Sequence, residues 1–255
     1  MPTSEIRKEA REALKGRWGK GVCIVLAYLL ISFIVGFVEG LAGEGTLLYS
    51  IIDIAYAIIS IPLSFGFLIS FVKLKRGEDV NAFGFLNDGF SRFGRSWGIW
   101  WHTFIRVLLP IICMFSLVIL FVAFSIFSAN SSSNTVSSST SIIFSIIGVV
   151  LYIAILIYAF SRSLLYVLAY NISYDNPEMS SKECVLKSAE LMKGNRGNYI
   201  LLDLSFIGWI LLAAVSLYIG FLWLIPYLYV SMVCFYERVA KFTSSKVEEP
   251  ENVID

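Results

Sequence analysis

Residues 204–236 read LSFIGWILLAAVSLYIGFLWLIPYLYVSMVCFY, 33 positions from Leu204 to Tyr236 without a charge and almost without a loop. At 1.5 Å rise per residue one helix of that length would run about 50 Å, far beyond the roughly 30 Å of hydrocarbon in a bilayer even with tilt. The chain therefore turns back inside this stretch, and Gly220 is the expected hinge. That reading makes two spans of it, 199–219 and 221–236, and returns Arg238, Lys241 and Lys246 to the side the chain left.

Working outward, long apolar runs fall at about 21–38, 47–72, 97–127 and 142–170, the first without a charge and the others with one each, Asp53, Arg106 and Arg162. None shows the period-two alternation of a membrane barrel, and a helix satisfies its own backbone hydrogen bonds in lipid, so all six are read as helices. The composition agrees: 57% hydrophobic and 15% charged residues, with a mean hydropathy of +0.76, against about a quarter charged in a soluble domain. The expectation is an all-α integral membrane protein of six spans in one polytopic domain, 1–240, followed by an acidic cytoplasmic tail, 241–255. The first apolar run has no short basic region before it and no A-x-A site after it, so it is expected to be retained.

Lys and Arg number 20, and their positions orient the chain. With the N-terminus inside, eighteen lie in cytoplasmic segments, Arg106 and Arg162 lie within spans, and the outer loops hold only Glu39 and Glu44. Both termini are therefore placed inside. A net charge of +1 gives no reason to expect a nucleic-acid partner.

Before each pair of spans stands a similar segment, an amphipathic stretch and then a glycine-rich break: Leu14-Lys-Gly-Arg-Trp-Gly-Lys20, Phe93-Gly-Arg-Ser-Trp-Gly-Ile99 and Met192-Lys-Gly-Asn-Arg-Gly-Asn198. Apolar residues recur at helical spacing in the stretches, as Ile6, Ala10 and Leu14, as Phe83, Leu86, Phe90 and Phe93, and as Val185, Ala189 and Met192. Ser180 and Glu183 have capping-box spacing. The architecture expected is three hairpins, each preceded by a cytoplasmic helix lying in the headgroup plane. Common membrane constraints and internal duplication both account for the repetition. Residues 128–141 hold eight serines in fourteen positions and read as an outer connector.

Chemistry-bearing residues are few. Arg106, Arg162 and Asp203 all lie in the cytoplasmic thirds of their spans, with His102 one turn before Arg106. Intramembrane ions are expensive, so the four form a candidate cluster for an anion, a lipid headgroup or a proton. The alternative is that both arginines snorkel to the headgroups while Asp203 pairs locally. Pro62, Pro110 and Pro226 interrupt spans, either as simple kinks or as sources of carbonyls along a substrate path. Gly36 and Gly40 have weak helix-packing spacing, and Trp and Tyr near span ends, among them Trp97, Trp100 and Tyr199, read as interfacial anchors. Four scattered cysteines and one histidine offer no metal site, and no catalytic or cofactor motif is present.

The stretch Leu191-Met-Lys-Gly-Asn-Arg196, with Ser205-Phe-Ile-Gly-Trp209, Pro226-Tyr227, Phe235-Tyr236 and Leu14-Lys-Gly-Arg-Trp-Gly19, resembles an uncharacterised bacterial membrane family, the domain of unknown function nine-seven-five. The resemblance covers most of the chain. It implies a bacterial cytoplasmic membrane and a distant similarity to the membrane portion of some glycerophosphodiester phosphodiesterases, whose catalytic domain is not expected here. It assigns no activity, cofactor or functional residue. The function expected is non-catalytic binding of lipid or a membrane-protein partner, with a small transporter or channel-like permease as the alternative.

Overall fold

The computed structural model describes residues 2–131 and 138–248, which are helical throughout apart from short connections and contain no strand. Residues 132–137, in the middle of the serine-rich segment, and 249–255 lie outside the described residues. In order, the helices are α1 (Thr3–Leu14), α2 (Trp18–Ala42), α3 (Leu47–Arg76), α4 (Gly84–Phe90), α5 (Phe93–Ser131), α6 (Ser138–Ser163), α7 (Ala169–Asp175), α8 (Ser181–Met192), α9 (Arg196–Leu204), α10 (Ile207–Val215) and α11 (Phe221–Glu248). Five stretches are long and apolar enough to cross a membrane: Trp18–Ala42, Leu47–Arg76, Phe93–Ser116, Ile146–Asp175 and Arg196–Val215. Their outward faces carry exposed large apolar side chains such as Phe33, Leu41, Leu47, Leu109 and Val215, a surface suited to lipid rather than water.

α11 is not among the five. Its uncharged part, 221–236, has only 16 residues before Glu237, and it works as the central helix of the packed body, touching α1, α2, α3, α8 and α10. Val230, Val233, Cys234, Phe235 and Val239 are fully buried along it. The helix also runs on to Glu248, so the first half of the expected tail is helical. α10 and α11 are separated by a turn over 216–220, which includes the expected hinge Gly220. Leu217 and Tyr218 take the left-handed conformation, with φ of 53° and 67°, whereas Gly220 is required for space: a Cβ there would sit 2.8 Å from the Ala213 backbone. The Ser216 hydroxyl accepts from the Gly220 N–H at 2.8 Å and closes the turn.

The first and third repeat segments fold alike. In each, a helix ends and a glycine with positive φ, Gly16 (76°) or Gly194 (89°), redirects the chain into the next helix. The Arg17 N–H bonds to the Leu14 carbonyl, and the Asn195 N–H bonds to that of Met192. The capping box forms at Ser180 and Glu183.

The apolar stripes of these helices pack on protein. Ile6, Ala10 and Leu14 are buried against the rest of the body, where α1 packs on α11 and α3, and Val185 and Met192 are buried where α8 packs on α5 and α7. Both apolar stripes meet protein, because a 12-residue helix gains more from a shaped protein surface next to it than from the lipid boundary. In the second segment the stripe itself differs. Phe85 and Gly89 are the buried positions of α4, and Phe83, Phe90 and Phe93 stay outside.

A glycine contact explains that rotation. A Cβ at Gly66 of α3 would lie 1.9 Å from the Phe85 carbonyl oxygen, and one at Gly89 of α4 2.2 Å from the Pro62 carbonyl oxygen, so the two backbones touch. Pro62 has no N–H for the Ile58 carbonyl, which accepts the Trp97 indole N–H at 3.2 Å instead. Nothing lies within 4 Å of a Cβ built at Gly36 or Gly40, so that spacing mediates no packing among the described residues.

At the other end of the body, charged side chains tie four helices together. Arg238 of α11 pairs with Glu5 and Glu9 of α1, both at 3.0 Å. Glu237 takes Lys75 and, at 3.3 Å, Arg76, both from the end of α3. Arg76 forks onto Asp175 of α7 at 2.7 and 2.9 Å, and the Tyr236 hydroxyl donates to the same carboxylate at 2.9 Å. Arg95 at the start of α5 donates to the carbonyls of Asn176 and Pro177, both at 2.6 Å.

Candidate functional site

The helices line an open cavity of about 510 Å³, walled by parts of α3, α5, α7, α9 and α11. The helix α6 ends at Ser163, and a tight 3-10 turn, Leu164–Tyr166, leads into α7, so the run expected as one helix to residue 170 is broken. The buried Ser188 hydroxyl of α8 mends the break, donating to the Leu165 carbonyl at 2.8 Å and accepting the Leu168 N–H at 3.2 Å. That bend turns Tyr166 and Tyr170 into the cavity wall.

Tyr199 and Asp203 stand one helical turn apart on α9, and Trp100 and Thr103 share a face of α5; all four line the same space. From α11, Tyr229 completes the wall. The rings are held by packing behind them: Tyr170 meets Phe65 edge-on with centroids 5.1 Å apart, Tyr199 meets Phe235 at 5.3 Å, and Tyr229 lies between Phe67 and Phe71 at 5.2 and 5.1 Å. Trp100 stacks on Phe104 at 4.8 Å. The wall is thus largely aromatic, and Asp203 is its one acidic residue.

The proposed four-residue cluster is not assembled as ion pairs. Arg106 donates to the His102 backbone carbonyl of its own helix at 3.1 Å, and Arg162 Nε is buried with no hydrogen-bond partner. Neither is among the basic groups paired with carboxylates in the described residues, and Asp203 is not among the paired acids. Of the four, Asp203 lines the cavity and the other three do not. No group of three or more metal-ligating side chains occurs among the described residues.

The aromatic wall went unrecognised in the sequence. Trp100 and Tyr199 read as interfacial anchors, and one signal pointed elsewhere: Tyr229 stands seven residues inside its uncharged run, too deep for a belt at the headgroups.

A family model described as Protein of unknown function (DUF975) matches residues 1–243. The chain belongs to that family. The match spans every helix that builds the cavity and the ionic layer, so these are features of the family domain in this member. It carries no link to glycerophosphodiester phosphodiesterases, and that expected similarity is not shown. No curated protein and no solved structure matches this family member.

Proposed function

We propose that this protein is a non-catalytic binding module of a bacterial cytoplasmic membrane, and that it holds part of a lipid in the aromatic cavity. The observation that carries the reading is the cavity itself. Its volume of about 510 Å³ falls within the range of small-molecule sites, roughly 300 to 1,000 Å³, and its walls come from helices apolar enough to stand in lipid.

The ionic layer supports the membrane arrangement. Glu5 and Glu9 precede the first stretch, Lys75 and Arg76 end the second, Asp175 ends the fourth, and Arg238 follows the uncharged part of α11. Groups in direct contact share one side of the membrane, so the number of crossings between each of them is even. An arrangement in which α9 and α10 leave that side and α11 returns to it meets that condition. The density of Lys and Arg there supports assigning it to the cytoplasmic side, with both termini inside. In a cysteine-free background, Lys182→Cys should be shielded from impermeant maleimide in intact cells and Glu44→Cys should react; the reverse pattern inverts the arrangement.

The binding reading is tested by filling the site. Thr103→Trp places a large ring in the cavity, and the purified variant should lose lipid that the parent chain retains in native mass spectra. Equal retention would count against the cavity as the lipid site. One of the three prolines that motivate the permease alternative offers no free carbonyl, since that freed by Pro62 is taken by Trp97.

A further inference from the structure

We infer that the cavity recognises a positively charged ligand, an alkylammonium group carried on an apolar chain, with Asp203 as its counter-ion and the surrounding rings as its cage. The inference deepens the lipid-binding reading above and rests on it.

Three observations converge. Asp203 lines the cavity within a stretch apolar enough to cross a membrane; it is exposed rather than buried, and its carboxylate takes part in no ion pair or side-chain hydrogen bond among the described residues. An intramembrane carboxylate without a partner is costly, and such residues pair with a cation or mark a ligand path. No lysine, arginine or histidine lines the cavity, so a cation there must come from outside the chain. The two arginines that could have served are elsewhere: Arg106 is engaged with the His102 carbonyl, and neither it nor Arg162 reaches the cavity wall.

The rest of the wall has the chemistry of an ammonium cage. Trp100, Tyr170, Tyr199 and Tyr229 surround the same space, fixed from behind by Phe104, Phe65, Phe235 and the Phe67 and Phe71 pair. The face of an aromatic ring carries negative quadrupolar charge and attracts a desolvated cation, most strongly for Trp, and several rings around one site are how quaternary ammonium groups are recognised. A carboxylate repels the phosphate of an anionic lipid approaching the same space, so the site selects by sign as well as shape. The remaining apolar wall, with Leu68, Leu228 and Met232, suits the chain attached to the charged group.

The full chain in a neutral maltoside detergent should bind decyltrimethylammonium saturably in calorimetry, whereas decanol, with the same chain and no charge, should bind at least tenfold more weakly. Asp203→Asn should cost tenfold or more in affinity for the ammonium and leave decanol unchanged, and Asp203→Glu should recover most of it. Tyr199→Leu serves as a second variant should Asp203→Asn not fold, and should weaken the ammonium more than decanol. Equal binding of both ligands, unaffected by Asp203→Asn, would overturn the cationic site while leaving lipid binding intact; binding of neither, with no lipid retained by the parent chain, would remove both readings. The two sources of an ammonium separate in nanodiscs. Competition by phosphatidylethanolamine or phosphatidylcholine, absent in phosphatidylglycerol alone, identifies a lipid headgroup, and equal binding in all three identifies a free amphiphilic amine.

Discussion

Gly66→Ala is expected to destabilise the protein by about 3 kcal/mol, at the top of the range for overpacking a well-packed contact. The added methyl would lie 1.9 Å from the Phe85 carbonyl oxygen and 2.8 Å from the Gly89 nitrogen. Both obstacles are backbone, so no side-chain rotation relieves them and α4 must move off α3. For a chain of this length the loss corresponds to a fall of about 6 to 12 °C in thermal midpoint, readable in detergent. Gly36→Ala is the matched control, because its Cβ meets nothing within 4 Å and alanine is the better helix former by about 1 kcal/mol. Equal behaviour of the two variants would mean that α3 and α4 do not touch as described. Gly89→Ala should resemble Gly66→Ala, since it meets the Pro62 carbonyl from the opposite side.

Glu237→Gln should cost about 2 kcal/mol, less than the 3 to 5 kcal/mol of a fully buried pair because the group keeps some contact with water. Its side chain is 20% exposed and holds Lys75, itself 15% exposed, together with Arg76. Removing the charge leaves Lys75 with Glu9 alone, at 3.3 Å. Arg238→Gln should cost less, about 1 kcal/mol or under, since its partner Glu5 is 60% exposed and water screens the pair. A double-mutant cycle of Glu237→Gln with Lys75→Met should recover part of the loss, and strictly additive losses would dismiss the pair. The layer also has a pH signature. Burial pushes the Glu9 carboxyl upward, but hydrogen bonds from Arg238 and Lys75 outweigh it and hold the group below its usual range. A carboxyl depressed on folding contributes stability that is complete above its unfolded value, about 4.3, and is lost as pH falls through the folded value. The Glu9 contribution should therefore persist at pH 6 and fade below about pH 4, and Glu9→Gln should remove that part of the acid sensitivity.

The two expectations differ in how far sequence could anticipate them. The ionic layer is half legible: clustering of Lys and Arg marks the segments that share a side, yet nothing in the order of residues says that Arg238 meets Glu5 and Glu9 across more than 200 positions. The glycine contact is not legible, because Gly66 and Gly36 look alike in an apolar run and only the neighbour distinguishes them. The four-residue charge cluster shows the same limit. Depth along a span can be counted from its ends, which placed Arg106, Arg162 and Asp203 at similar levels, but the direction each side chain takes around its helix depends on rotation and tilt set by packing.

What the sequence determined by itself are the properties that accumulate along one dimension. Apolar run length marks the stretches apolar enough to cross a membrane, the length of the uncharged 204–236 calls for a break between two helices, and helical spacing finds the stripes of α1 and α8. These follow from the rise of a helix and the cost of charge in lipid, and they need no knowledge of neighbours. Tertiary structure decided what each apolar face meets. Ile6, Ala10 and Leu14 satisfy lipid and protein equally as a pattern, and only the presence of α11 and α3 beside them makes the answer protein. The cavity belongs wholly to that second kind of information: Trp100, Tyr170, Tyr199, Asp203 and Tyr229 come from four helices and acquire a common role only because packing leaves one space between them.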